Sequence, residues 1–117
     1  MYDFYVNTYG GTAVSREKFP ELAARAEDKL RCYERAYRVS GDETMRKMAL
    51  CAMAEAIGYF DAAQNGQGGL RYASVGTVSV SGKGIYSQVD ISPLAQEKEL
   101  YRAASLYLTI YRGTDQG

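Results

Sequence analysis

The stretch DETMRKMALCAMAEAIGYFDAAQN at residues 42–65 decides the fold, because it is apolar around most of a helix. Its apolar residues recur at the helical spacings of three, four and seven positions, and further apolar residues widen that stripe. Between positions 49 and 63 the only charged side chains are Glu55 and Asp61. A helix that is apolar on nearly every side must be covered on nearly every side, so this stretch is predicted to be the central helix of a small domain.

The composition is that of an ordinary globular domain. The chain has 117 residues, of which 46% are hydrophobic and 24% are charged, which suffices for a single core. The 14 basic and 14 acidic residues give a formal net charge of zero. Proteins that bind nucleic acid by overall charge normally carry a basic excess, so this balance argues against that class.

Two further helices are expected to cover the central one. Apolar periodicity predicts helices at 15–38, 42–64 and 93–112, with Ser15 as an N-cap and a second helix start at Pro20. The connection between the first two helices is short, which makes them antiparallel neighbours. The predicted fold is therefore mainly α: a small bundle of three main helices with an extended or β-hairpin segment between the second and last long helices.

Three less regular parts are predicted within a single domain at residues 1–117. An extended N-terminal arm is expected at 1–14, a segment protruding from the helical domain at 66–92, and a tail at 113–117. The aromatic side chains of the arm need a surface to lie on. That surface is either the chain's own helices or a neighbouring subunit, and both interpretations stay open at this point.

Residues 74–91 alternate β-branched and small residues in a pattern typical of a strand or hairpin. One isolated hairpin is marginal, so this segment must either fold onto its own helices or pair with another chain. Strand addition between subunits would satisfy exposed backbone groups and link neighbours head to tail, and such a contact makes a ring if it closes on itself. We therefore hypothesise that Val78 and Val80, on one face of the segment, belong to a subunit interface.

The residue types that carry most enzyme chemistry are missing. The chain has no histidine to act as a base for its serines, and the glycine-rich break at 65–69 lacks the following Lys-Ser/Thr pair of a phosphate-binding loop. Cys32 and Cys51 fall in predicted helices and are expected to be buried free thiols, neighbours in a helical hairpin at most. We expect no enzyme activity, no catalytic residues, no cofactor and no metal; saturable turnover of a small substrate would contradict this.

Two expectations concern charged residues. Glu55 is expected to meet an arginine from a cover helix, Arg25 or Arg102, because a carboxylate in an apolar helix needs a partner. A basic cluster near the first helix–helix turn is either a solvated face or a contact with DNA or an acidic partner. Interleaved acidic residues mostly neutralise this cluster, and the residues concerned are Arg31, Arg35, Arg38, Arg46 and Lys47 with Glu34, Asp42 and Glu43.

The order of three stretches resembles the small head–tail connector, or adaptor, proteins of long-tailed double-stranded DNA bacteriophages and prophages. The first is YGGT at 9–12, followed by Phe19, Leu22 and Arg25-Ala26. The second is ASVGTVSVS at 73–81. The third is a closing helix with Ala103-Ala104 and Tyr107-Leu108 that ends in the YRG of residues 111–113. Relatives in that family tend to have a longer segment before the final YRG.

The resemblance implies a non-enzymatic structural protein of the virion neck that is present in the host bacterial cytoplasm during assembly. Copies would form a homo-oligomeric ring under the portal protein, extend the DNA channel without sequence-specific binding, and dock a neck or tail completion protein. No membrane is involved. The alternative is a generic small helical protein-interaction or DNA-binding regulatory protein. Residues expected at the subunit or portal interface are Tyr5, Tyr9, Val78, Val80, Tyr86, Tyr107 and Tyr111.

Replacing Val78 and Val80 together by aspartate tests the assignment of this segment. We expect assembly and portal binding to be lost while the helical fold and the melting temperature are retained, because charges on an interface face oppose pairing between chains. Circular dichroism measures the fold and sedimentation with the portal protein measures assembly. Unfolding of the isolated chain would instead place the segment in the chain's own core.

Overall fold

The structure, a computed structural model, describes residues 1–64 and 91–112. Its chain order begins with a short helix α1, a π-helical turn and a long helix α2, and continues through a short strand, two more helices and a second short strand. The bounds are Tyr2–Phe4 for α1, Tyr5–Tyr9 for the π-helical turn, Phe19–Ala36 for α2, Arg38–Ser40 for β1, Glu43–Gln64 for α3, Pro93–Ser105 for α4 and Thr109–Tyr111 for β2.

Helix α3 is the centre of the domain, as the sequence predicts. Every residue from position 49 to position 60 is buried, and both α2 and α4 pack against the helix. Met53, Ile57 and Phe60 are 0%, 8% and 1% exposed, so their predicted places in the core are confirmed. The prediction of a mainly α fold with three main helices is likewise confirmed.

Helix α2 begins later than position 15 and close to the predicted second start. Pro20 lies in its first turn, where a missing backbone N–H costs nothing. The Ser15 hydroxyl accepts a hydrogen bond from the Lys18 backbone N–H at 3.2 Å, so Ser15 caps the turn that precedes the helix rather than the helix itself. The buried face of α2 then follows the predicted apolar stripe through Leu22, Leu30 and Tyr33.

The last helix is shorter than predicted. Helix α4 starts as expected, with the Ser92 hydroxyl accepting a hydrogen bond from the Ala95 N–H at 3.2 Å, but it ends at Ser105 instead of position 112. The residues that follow form β2, which pairs antiparallel with β1 so that Val39 lies opposite Ile110. The periodicity predicted a helix that is too long, because apolar residues after Ser105 belong to β2 instead. The pairing of β2 with β1 is formed only in the tertiary fold.

The N-terminal segment is helical rather than extended, which corrects the prediction for residues 1–14. It forms α1 and the π-helical turn, and the turn ends at Gly10, whose φ of 81° lies in the left-handed region that favours glycine. A Cβ on Gly11 would lie 2.1 Å from Cε1 of Tyr5, so only glycine permits this close packing. The two glycines of the YGGT stretch therefore fold the segment back onto the helices.

The predicted protruding segment lies largely outside the described residues. Val78, Val80 and Tyr86 fall there, as do the expected hairpin and the tail at 113–117, so those predictions remain predictions. Among the helices in the described part of the chain, none is long and apolar enough to cross a membrane.

Truncating Phe60 to alanine should lower the free energy of unfolding by about 3–5 kcal/mol, because it leaves a cavity beside a fully covered helix. Chemical denaturation followed by circular dichroism gives the value. Leu94→Ala is the control, since Leu94 is 65% exposed and its loss should change stability by less than about 0.5 kcal/mol. Equal stability of the Phe60 variant and the parent would contradict the assignment.

Candidate functional site

Tyr5 is a structural centre and not a surface residue. Its side chain is 0% exposed, and its hydroxyl donates a hydrogen bond to Oε2 of Glu55 at 2.7 Å. The Tyr5 hydroxyl oxygen also accepts hydrogen bonds from the backbone N–H groups of Ala13 and Val14, each at 3.0 Å. One phenol thus ties α3 to the segment that leads into α2. Burial, followed by the nearby Glu55 carboxylate, raises the pKa of Tyr5 well above its usual range.

Because Tyr5 is buried within the chain, the prediction that it lies at a subunit or portal interface is corrected. Of the two surfaces that the sequence leaves open for the arm, the structure places this side chain on the chain's own helices. Among the described residues Glu55 pairs with Tyr5, and neither of the two arginines suggested as its partner contacts it. Arg25 instead binds Asp61 through two hydrogen bonds of 2.7 and 3.2 Å, and Arg102 binds Glu99 at 2.8 Å.

Tyr9 and Tyr107, two other expected interface residues, are brought together. Their rings meet edge to face with centroids 6.3 Å apart, and Tyr9 also stacks on Tyr5 at 5.7 Å. Both are half-buried, so part of each ring remains accessible. The contact joins the end of the π-helical turn to the turn that follows α4. Tyr111 lies elsewhere, on β2, and is 52% exposed.

Acidic residues neutralise part of the predicted basic cluster. Only some of these acidic residues are the predicted ones. Arg46 binds Oε2 of Glu27 at 2.9 Å and Oε2 of Glu34 at 2.8 Å, and Arg31 also binds Glu27. Hydrogen bonds from Arg46, and then from Arg31, lower the pKa of the Glu27 carboxyl. The Asp42 carboxylate instead accepts a hydrogen bond from the Met45 N–H at 2.8 Å and caps α3.

The cysteines differ in exposure. Both are free thiols, as expected, but only Cys51 is buried, and Cys32 is exposed on α2. Burial raises the pKa of the Cys51 thiol to about 12, so it stays protonated and unreactive near neutral pH. Within the part of the chain that the structure describes, no group of three or more Cys, Asp or Glu residues is placed to hold a metal ion.

Two adjoining pockets lie where the end of α2, the strand pair and α4 meet. The first, called here the tyrosine pocket, has a volume of about 340 Å³. The second, called here the arginine pocket, has a similar volume of about 340 Å³. Tyr37 and Arg112 line both pockets. The tyrosine pocket is completed by Tyr33, Leu94, Glu97, Lys98 and Tyr101, and the arginine pocket by Arg35, Ala36, Arg38 and Tyr111.

Aromatic contacts build the wall shared by the two pockets. Tyr33 meets Tyr101 edge to face at 5.7 Å and lies 6.4 Å from Tyr37. The Arg112 guanidinium lies over the Tyr101 ring at 4.5 Å and within 5.7 Å of the Tyr37 ring centroid. These cation–π contacts hold the guanidinium beside the pockets. An ion pair between Lys29 and Glu97 fixes α4 against α2 behind them.

Sequence reasoning found only the edge of this site. Tyr111 was an expected interface residue, and Arg112 belongs to the YRG stretch. The tyrosines of α2 and α4, in contrast, were interpreted as part of the apolar faces of their helices. Arg35 and Arg38 were placed in the basic cluster near the first helix–helix turn, but not beside Tyr111 and Arg112. The pockets arise because β2 turns back onto β1, an event with no local sequence signal.

Comparison of the chain with protein-family models, with curated proteins and with solved structures found no match.

Removing the hydroxyl of Tyr5 tests its structural role. Tyr5→Phe should lower the free energy of unfolding by about 1–3 kcal/mol, because the buried Glu55 carboxylate and two backbone N–H groups lose a partner. Urea denaturation measures the change. Tyr111→Phe removes a hydroxyl from an exposed ring and should be close to neutral. Equal changes in the free energy of unfolding for the two variants would show that the Tyr5 hydroxyl does not contribute to stability more than an exposed one.

Proposed function

We propose that this chain is a structural subunit of a bacteriophage or prophage head–tail connector. Copies form a ring below the portal protein, extend the DNA channel, and offer a docking surface to a neck or tail component. The protein acts in the virion neck and is assembled in the bacterial cytoplasm. It performs no catalysis and needs no cofactor.

One observation carries the proposal: two of the stretches that resemble the family support each other in space. The YGGT stretch packs on Tyr5 through Gly11 and contacts the closing stretch through the pair Tyr9 and Tyr107. The closing stretch also packs on the helix–helix turn, since a Cβ on Gly41 would lie 2.5 Å from Cδ2 of Leu108. Short motifs that are distant in sequence thus serve one folding arrangement, as the motifs of a family are expected to do.

The use of the buried charges also supports a structural role. Glu55 and Glu99 are the buried charged residues of the described chain, and each has a protein partner, in Tyr5 and Arg102. Carboxylates engaged in this way help to hold the fold together. The balanced net charge suits a ring that surrounds DNA without gripping it.

A second candidate function is that of a small helical interaction or DNA-binding regulatory protein. The arginine pocket favours it, because Arg35, Arg38 and Arg112 gather on one surface of a chain that is neutral overall. This candidate needs no ring and no portal protein, which separates it from the first.

Electron microscopy of negatively stained protein distinguishes the two candidates. Mixed with the purified portal protein of the phage or prophage that encodes it, the chain should form rings with a central channel, whether or not it forms them alone. The variant with aspartate at Val78 and Val80 is the control that should not assemble. Absence of rings and of portal binding, together with retarded migration of DNA in a gel, would favour the regulatory protein instead.

A further inference from the structure

We propose that the tyrosine pocket and the arginine pocket together bind an extended, acidic segment of a partner protein, with an apolar side chain of that segment seated against the tyrosines. The inference goes beyond the connector proposal, because it concerns a described surface that exists in a single copy of the chain. It holds whether or not the chain forms a ring.

The first argument is the distribution of ion pairs. Arg35, Arg38 and Arg112 have no carboxylate within 4.0 Å among residues 1–64 and 91–112. All three line the arginine pocket. The other arginines in those ranges are paired, namely Arg16 with Asp3, Arg25 with Glu21 and Asp61, Arg31 with Glu27, Arg46 with Glu27 and Glu34, and Arg102 with Glu99. The described arginines without a carboxylate partner are thus concentrated at one place.

The second argument is that Arg112 is held in position before a partner arrives. Its guanidinium lies 4.5 Å from the Tyr101 ring centroid and 5.7 Å from that of Tyr37, between the two pockets. A guanidinium stacked in this way keeps its edge free for two parallel hydrogen bonds to a carboxylate. Holding the side chain in advance also reduces the ordering cost of binding.

The third argument is a buried hydroxyl without a partner. The Tyr33 oxygen is buried at the wall of the tyrosine pocket and has no hydrogen-bond partner in the described part of the chain. Buried hydroxyls are normally paired, because an unsatisfied one costs about 1–3 kcal/mol. A carboxylate or backbone carbonyl of an incoming segment would accept this proton once the Tyr33 ring turns towards the pocket, because the oxygen is buried in the unbound chain.

The lining of the pockets favours a peptide over nucleic acid. Leu94, at the rim of the tyrosine pocket, is 65% exposed, and Tyr111, in the arginine pocket, is 52% exposed. Exposed apolar and aromatic side chains beside arginines are typical of protein interfaces.

The acidic segment must come from a different protein. Nowhere in this chain do three acidic residues fall within five consecutive positions, so a second copy offers no strongly acidic segment. Several of its acidic side chains are also already engaged in ion pairs within the chain. Charge complementarity therefore points to a partner with its own acidic run.

The probe is a short fluorescein-labelled peptide in which a central leucine is flanked on both sides by glutamates. Fluorescence anisotropy should show saturable binding to the full chain, weakened by salt. Arg38→Gln and Arg112→Gln should each raise Kd by about 3–10-fold, as expected for loss of one charge from an interface. The matched control is Arg16→Gln, whose guanidinium also lies over a tyrosine ring, that of Tyr2 at 4.8 Å, but lines neither pocket. It should change Kd by less than about twofold.

Tyr33→Phe separates a binding role from a structural one. The substitution removes a hydroxyl that bonds to no described group, so the melting temperature should be unchanged or higher, while Kd for the peptide should rise severalfold. A fall in melting temperature without a change in Kd would show that the hydroxyl serves the fold.

Four outcomes would overturn the proposal. One is no saturable binding of the peptide to the parent chain, and another is equal binding of a peptide with glutamine in place of every glutamate. A third is equal weakening by Arg16→Gln, which would show unspecific attraction. The last is displacement of the peptide by a labelled oligothymidylate that binds more tightly, which would assign the surface to nucleic acid.

Discussion

The burial of α3 on all sides is the constraint on which the rest of the structure depends. From position 49 to position 60 every residue is inaccessible to solvent, so two helices cannot cover it alone. Helix α2 covers one side of α3, α4 covers another, and the π-helical turn covers a third through Tyr5. Glu55 makes the last contact specific, because its buried carboxylate accepts a hydrogen bond from the Tyr5 phenol. This hydrogen bond, together with those from the Ala13 and Val14 N–H groups to the Tyr5 oxygen and the packing of Tyr5 on Phe19, fixes the position of the N-terminal segment.

Ion pairs then fix the covering helices to one another. Asp61 joins α3 to α2 through Arg25, and Glu97 joins α4 to α2 through Lys29. Arg46 joins α3 to α2 a second time through two carboxylates. Most of these groups are partly exposed, so each pair contributes modestly to stability and more to the choice of one arrangement. Among the described arginines, this pairing leaves Arg35, Arg38 and Arg112 without a carboxylate partner, and all three line the arginine pocket.

The interior and the surface of this domain have different tasks. Inside, the two buried carboxylates of the described residues, Glu55 and Glu99, are held by Tyr5 and Arg102. At one end, the strand pair brings Arg38 and Tyr111 to the same register position and places Arg112 against the tyrosines. The proposed connector role would use both features, a rigid shape inside and a surface offered to other proteins at one end.

The sequence by itself determined the helices and their apolar faces, because 3.6-residue periodicity is a local property of the chain. It located the core residues Met53, Ile57 and Phe60. Only the tertiary structure decided where α4 ends, which carboxylate meets Tyr5, and which arginines keep no acidic partner. Each of these depends on residues far apart in the chain, such as β1 with β2 or Tyr5 with Glu55, and no local pattern specifies which distant groups will meet.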